Sequence, residues 1–381
     1  MKVALAVDTP NYFGGGNKFA ADLIRMLKER GYEVALCAWV KPLEGSCYPE
    51  FLEVEKVYLP STFSKMVKGK LWKIVFATSS SLKRCMRDFE PDIVINANVE
   101  PGVFRGIRNV KKVQYCHFPT ELKLLKQDLV HLVYRIPYWY WHYKELSKLD
   151  AVVCNSRYTE HIAYLLWKYH VPKERFHVIN PAVDVNVFKG ELEREKKVCY
   201  VGRIDVNKGI DYVIDSFLKL PREMGVSLAI VGGVTETAWS RDYYEKKLKP
   251  RVERLMAESY PVRLACNVPY SEIVQTLMTS KAMLSFNPEE HFGIVPVEAQ
   301  AAGCPPIVAE GGGQEETVRQ GETGYLAKTP EEMTQYLSQL LRDGELWERM
   351  SHAARESAQR FSIENISKEW GALLEGLVRA A

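Results

Sequence analysis

Two glutamates stand eight residues apart in the stretch Asn287-Pro-Glu-Glu-His-Phe-Gly-Ile-Val-Pro-Val-Glu298. Gly293 and Pro296 lie between Glu290 and Glu298, and proline is tolerated in the first turn of a helix. The spacing therefore predicts Glu290 on a loop and Glu298 in the first turns of the helix that follows. Carboxylates so placed can accept hydrogen bonds from sugar hydroxyls, and the helix N-terminus offers N–H groups to an anion. The competing reading is a capped helix start with two surface acids. Upstream, Gly202-Arg203 and Lys208-Gly209 frame a short loop after the apolar run Val198–Val201. An Arg fork and a Lys point charge on such a loop can clamp a diphosphate. They can also be ordinary solvated cations.

Weaker signals lie on either side. Gly14-Gly15-Gly16 lets backbone approach a ligand closely. It is not the dinucleotide fingerprint G-x-G-x-x-G, because Lys18 and Phe19 occupy the later positions. Gly311-Gly-Gly313 is either a second close turn near a sugar or plain loop punctuation. His117 follows an apolar run in Tyr115-Cys-His-Phe-Pro119 and is the best placed of the eight histidines, although a lone histidine is more often structural. Asn155, Ser156 and Asp184 occupy similar positions with less to distinguish them.

These residues need elements to position them. Residues 2–8 read as a buried strand, a helix begins near Asn17 with Phe19, Leu23, Met26 and Leu27 at helical spacing, Gly31 ends it, and Tyr32–Val40 reads as the next strand. This is a strand–helix–strand unit of a parallel sheet. Further strands are expected at 92–96, 113–116 and 151–154. A second series starts after Pro181, with strands at 198–201, 227–231, 262–265, 282–286 and 306–308, and a helix from Asp211. Two such series imply two Rossmann-like domains, with a linker near 178–190 and a final helix over 363–381. Open α/β sheets bind ligands at strand C-termini, where every motif above falls.

Composition narrows the possibilities. The 381 residues suggest two domains. With 46% hydrophobic and 26% charged residues the chain is globular, and a net charge of +3 argues against a polybasic nucleic-acid binder. Residues 1–180 carry 27 basic and 18 acidic side chains, whereas 181–381 carry 24 and 30. No apolar run reaches the roughly 20 residues of a membrane span, and Asp8 interrupts any secretory leader. The eight cysteines are scattered singly, as expected of reduced buried thiols in the cytoplasm, and give a zinc site no support. The stretch 62–87 carries Lys65, Lys68, Lys70, Lys73, Lys83, Arg84 and Arg87 without one acid. It reads either as a segment lying on anionic membrane, helped by the aromatics of 138–142, or as a helix packed on the sheet with a solvated basic face.

Taken together, the glycine loop, Gly202-Arg203 with Lys208-Gly209, the Glu290–Glu298 block and Gly311–Gly313 resemble the retaining GT-B glycosyltransferases of family 4 over nearly the whole chain. The resemblance implies an α/β fold of two Rossmann-like domains with parallel sheets facing a central cleft. The first domain would span 1–180 with the returning helix 363–381, and the second 181–362. Arg203 and Lys208 would bind the nucleotide diphosphate, Glu290 the donor sugar and Glu298 the ribose. The backbone of Phe292, Gly293, Ile294 and Val295 would line phosphates and sugar, with Val268 also on the donor side. Gly15 and Gly16 would close over the diphosphate, and His117 would lie near the reacting sugar. His117-Phe-Pro119, Pro181–Asp184 and the Phe292–Glu298 block look most like mannosyltransferases that use GDP-mannose on a saccharide or lipid-linked acceptor. No metal and no other cofactor are expected, because no Asp-x-Asp motif is present. A peripheral location on the inner face of the membrane would follow from the basic first half. Rival readings are a UDP-sugar-dependent enzyme, a 2-epimerase or a polymer synthase on the same fold, and a non-catalytic nucleotide-sugar-binding subunit. An NAD-dependent dehydrogenase is disfavoured by the missing fingerprint.

Overall fold

The computed structural model describes residues 1–61, 70–98, 100–119, 136–190, 192–235 and 237–380, with side chains for all of these except 70–75, 136–138 and 238. The chain divides into two compact units, Met1–Ala182 with Ile363–Ala381, and Val183–Ser362.

The first unit holds a parallel sheet ordered β3-β2-β1-β4-β5-β6-β7. Its strands are β1 (Lys2–Ala6), β2 (Glu33–Cys37), β3 (Lys56–Tyr58), β4 (Ile93–Asn96), β5 (Lys111–Cys116), β6 (Ala151–Cys154) and β7 (Phe176–Val178). Leu5 sits in register with Leu36 on one side and Ile95 on the other. Side chains alternate between two cores: Val3 and Leu5 pack with Phe19, Leu23 and Leu27, whereas Ala4 and Ala6 pack with Leu82 and Phe104. A sheet covered on both faces has strands apolar throughout, which is why 2–8 reads as a continuous apolar run.

The helix Gly15–Glu29 starts two residues before the expected position, and Gly31 (φ +74°) ends it. The last helix, Ile363–Arg379, packs against it. Trp370 is fully buried, 6.2 Å from Phe19 and 6.0 Å from Tyr115 between ring centroids. Glu375 Oε1 accepts from Arg30 and from the Tyr32 hydroxyl, each at 2.8 Å.

The second unit repeats the plan with a parallel sheet ordered β10-β9-β8-β11-β12-β13. Its strands are β8 (Lys197–Arg203), β9 (Ser227–Gly233), β10 (Val262–Cys266), β11 (Ala282–Ser285), β12 (Pro306–Ala309) and β13 (Tyr325–Ala327). Tyr200, Ile230 and Leu284 face one core with Ile214 and Phe217, while Val201, Val231 and Met283 face another with Phe292 and Val297. In each sheet the order reverses beside the unit's first strand, between β1 and β4 and between β8 and β11. Such a switch point leaves a crevice at the strand C-termini because the flanking loops diverge.

Several expectations need adjustment. β3, β7 and β13 are unforeseen, since three residues are too few to show a strand period. The later part of the basic stretch 62–87 lies in the helix Lys70–Asp88, while Lys65 and Lys68 lie outside the described residues. The aromatics of 138–142 do not share one outward face. Tyr140 is exposed, but His142 is buried with Nδ1 3.2 Å from Glu100. All eight cysteines are free thiols, and only Cys266 is incompletely buried. No helix among the described residues is long and apolar enough to cross a membrane.

Candidate functional site

At the switch point of the second unit, β8 ends in Gly202-Arg203 and β11 leads into Asn287–Glu290. An Asx turn shapes the first loop, with Asp205 Oδ1 accepting from the Asn207 amide at 3.0 Å. Gly209 closes that loop in the left-handed region (φ +66°) and starts the helix Ile210–Leu218. A Cβ at Gly209 would lie 2.0 Å from the Phe286 carbonyl oxygen, so only glycine lets the two loops touch. The contact brings together residues 82 apart in sequence: Lys208 Nζ donates to Glu290 Oε2 at 2.6 Å. The two side chains are 18% and 26% exposed. Asn287 Nδ2 donates to the same oxygen at 3.1 Å.

Burial works to raise the Glu290 carboxyl. The Lys208 charge and hydrogen bond, helped by His291 and Asn287, outweigh it and hold Glu290 below the usual glutamate range. Glu290 is therefore ionised at neutral pH, and its counter-ion is a cation that a phosphate can also engage. Arg203 is exposed at the end of β8.

Gly311–Gly313 supports the Glu290 loop. The Gly313 amide donates to the Glu290 carbonyl at 2.7 Å. Gln314, almost fully buried, donates through Nε2 to the Asn287 carbonyl at 2.9 Å and also to that of Ala309. A Cβ at Gly312 (φ +67°) would stand 2.2 Å from the Glu290 carbonyl oxygen.

The helix Ile294–Ala301 begins at Gly293, and no side chain caps it. The capping reading of the two glutamates therefore fails. Phe292 is buried and meets Phe361 edge-on at 5.5 Å, so only its backbone remains for a ligand. Ile294, Val295 and Val268 are partly buried. Glu298 is 9% exposed, and its Oε1 accepts from the Tyr270 hydroxyl at 2.8 Å.

In the first unit, Gly15 is exposed at the start of its helix and Gly16 follows; a Cβ at Gly16 would stand 3.7 Å from His117 Nε2. That nitrogen lies 2.9 Å from the Ala97 carbonyl oxygen. A carbonyl only accepts, so Nε2 carries a proton. Phe19 and Tyr115 meet the imidazole edge-on at 5.4 and 4.9 Å and fix its plane. Asn98 bridges the neighbouring loops, accepting from the Asp8 amide and donating to Asn17 Oδ1, each at 3.1 Å. Asn155 donates to the His117 carbonyl at 2.9 Å. Ser156 and Asp184 prove to be caps, accepting from Thr159 and Asn186 amides.

Sequence reasoning missed Tyr270, Asn287, Asn98 and Gln314. Tyr270, Asn98 and Gln314 depend on partners in other loops, which no local spacing reveals, whereas Asn287 reaches Glu290 within its own loop. A separate groove of about 900 Å³ opens at the N-terminal end of β8 and β9, lined by Lys197, Ser227, Tyr260 and Arg263 among others. It contains none of the expected site residues. No cluster of three His, Cys, Asp or Glu suited to a metal ion occurs among the described residues.

Both halves of the chain are similar to known proteins. Residues 184–357 match the family model "Glycosyl transferases group 1", and residues 13–187 match "Glycosyltransferase Family 4". The chain is 24% identical to the alpha-1,3/1,6-mannosyltransferase ALG2 of Homo sapiens, covering 93% of this chain and 91% of that one. It is 26% and 28% identical to the proteins of that description from Neurospora crassa and Schizosaccharomyces pombe. There it spans about half of the relatives' length, 52% and 47%. Among solved structures, sucrose-phosphate synthase from Thermosynechococcus elongatus superposes with a TM-score of 0.75 at 18% identity over 100% of both chains. WaaG, a glycosyltransferase involved in lipopolysaccharide biosynthesis, superposes with 0.68 at 16%. With both halves matched across 13–357 and two parallel Rossmann-like sheets in hand, the chain belongs to the family-4 glycosyltransferases of the GT-B fold.

Proposed function

We propose that this protein is a retaining mannosyltransferase that moves mannose from GDP-mannose onto a saccharide or lipid-linked acceptor. The carrying observation is the Lys208–Glu290 pair at the β8/β11 switch point, one turn of loop from Arg203 and beside the start of the Ile294 helix. Arg203 and Lys208 take the diphosphate. Glu290, released from Lys208 by that exchange, accepts from donor sugar hydroxyls, and Glu298 accepts from the ribose. Backbone N–H groups at Gly293–Val295 face developing negative charge without needing to reorganise. The choice of mannose rests on the names of the curated relatives.

In the reaction the bond between the anomeric carbon and the diphosphate oxygen breaks. The acceptor hydroxyl oxygen bonds to that carbon on the same face, and its proton passes to the departing phosphate oxygen. Cations and helix amides carry the leaving-group charge, so the residues present need no metal. Within the first unit, His117, held by Ala97, Phe19 and Tyr115, and the Gly15-Gly16 backbone are the candidates for ligand contact. A lipid-linked acceptor also gives the basic first half a purpose, docking on anionic membrane.

The test is transfer from GDP-mannose with anomeric NMR of the product. An α-mannosidic product is expected, and Glu290→Ala should abolish it while the protein stays folded. A β product would rule out retention, and an active Glu290→Ala would remove Glu290 from the chemistry.

A further inference from the structure

Tyr270 belongs to none of the expected motifs, yet its hydroxyl donates to Glu298 Oε1 at 2.8 Å. The turn that delivers it is tightly defined. Asn267, after β10, adopts the left-handed region (φ +55°). Its amide donates to the Gly232 carbonyl at 2.8 Å, and its Oδ1 accepts from the Val234 amide at 3.0 Å. Pro269, with φ −59°, then starts the helix Tyr270–Thr279. The end of β9 thus fixes where Val268 and Tyr270 emerge.

Two roles are open to such a bond. One is to tie the Tyr270 helix to the Ile294 helix. Buried Leu277, Val297 and Ala301 already join the apolar core beneath these helices, and Tyr270 itself is 42% exposed. A hydrogen bond at so open a position adds little stability. The other role is orientation. Glu298 is 9% exposed on a helix whose start is a candidate anion site. A neutral hydroxyl holds a carboxylate in place without supplying a competing positive charge, as a lysine would. Ligand-contacting groups held by a second hydrogen bond lose less freedom on binding.

We infer that Tyr270 is a positioning residue for the donor's ribose: through its hydroxyl it aims the Glu298 carboxylate at the ribose 2′- and 3′-hydroxyls. This rests on the proposal that Glu298 receives the ribose. Tyr270 touches Glu298 and acts through it.

The experiment is calorimetric titration of GDP and UDP, each with its 2′-deoxy and 3′-deoxy counterparts, into wild type, Tyr270→Phe, Tyr270→Ala and Glu298→Ala. Wild type should prefer the ribonucleotide over at least one deoxy form by about tenfold or more. Glu298→Ala should lose that preference. Tyr270→Phe should weaken the ribonucleotide several-fold, leave the deoxy form nearly unchanged, and so narrow the preference, with the ligand-free unfolding midpoint kept. If Tyr270→Phe and Tyr270→Ala keep the full preference while Glu298→Ala loses it, Tyr270 is only a structural tie and the inference is overturned. If Glu298→Ala keeps the preference, the ribose reading of Glu298 falls and the inference falls with it, a result readily told from the first.

Discussion

Lys208 and Glu290 share one short ion pair at the end of two loops, and that pairing sets their behaviour. With Lys208 removed, Glu290 keeps its burial and loses its main counter-charge. Lys208→Met should weaken nucleotide diphosphate binding by about thirtyfold or more, roughly 2 kcal/mol, because the diphosphate loses a cation and meets a carboxylate without its counter-charge. The same change has a pH signature. In wild type the Glu290 carboxyl lies below the ordinary glutamate range, so its ionised form persists until the pH falls through that depressed value. In Lys208→Met burial acts with less opposition, the value rises, and the acid limb of the activity profile should move to higher pH. A profile that stays in place would show that Glu290 does not titrate in that limb. The residue types and their spacing were legible in the sequence, as Glu290, Glu298, Arg203 and Lys208 show. Their pairing was not, because Lys208 and Glu290 are 82 residues apart and meet only through the β8/β11 contact.

Short connecting elements decide whether those side chains arrive. Gly312 lies under the Glu290 loop, where a Cβ would stand 2.2 Å from the Glu290 carbonyl oxygen. Gly321 has a similar positive φ but nothing within 4 Å. Both alanine variants carry the left-handed strain of about 1–2 kcal/mol, but only Gly312→Ala should displace Glu290 and cut kcat sharply. Equal activity in the two variants would show that the loop does not depend on that packing. In the first unit, the helix Gly15–Glu29 buries Asp22 beside Lys18. Burial raises the Asp22 carboxyl to about 6, against the pull of Lys18. Because the folded value lies above the unfolded one, Asp22 favours the folded state most below the ordinary aspartate range, and that contribution is lost as the pH rises through about 6. Relative to Asp22→Asn, wild type should lose up to about 3 kcal/mol between pH 4 and 7. Urea unfolding at both pH values measures it, and parallel stabilities would contradict the buried-acid account. At this scale the long elements could be read from apolar spacing. β3, β7 and β13 could not, since each owes its existence to a neighbouring strand rather than to its own three residues.

The whole chain comprises two units of the same strand plan, and its last helix belongs with its first. Ile366, Trp370 and Leu374 mark that helix as amphipathic, but its partner is named by contacts distant in sequence, those of Trp370 with Phe19 and Tyr115 and of Glu375 with Arg30 and Tyr32. Trp370→Ala should cost about 3–5 kcal/mol and lower the first unit's unfolding transition in calorimetry while the second unit's transition stays. The same stack supports His117, so the loss should reach activity as well. Ligand protection shows whether the second unit holds a nucleotide sugar on Lys208, Glu290 and Glu298. A ligand at a hundred times its Kd adds about 2.7 kcal/mol to the state that binds it. Unfolding midpoints should be measured with GDP-mannose, UDP-glucose and UDP-GlcNAc, for wild type and for Lys208→Met. Wild type should rise by several degrees, most with GDP-mannose, and Lys208→Met by much less. An equal rise in Lys208→Met, or none in wild type with any nucleotide sugar, would contradict a nucleotide sugar held on these residues.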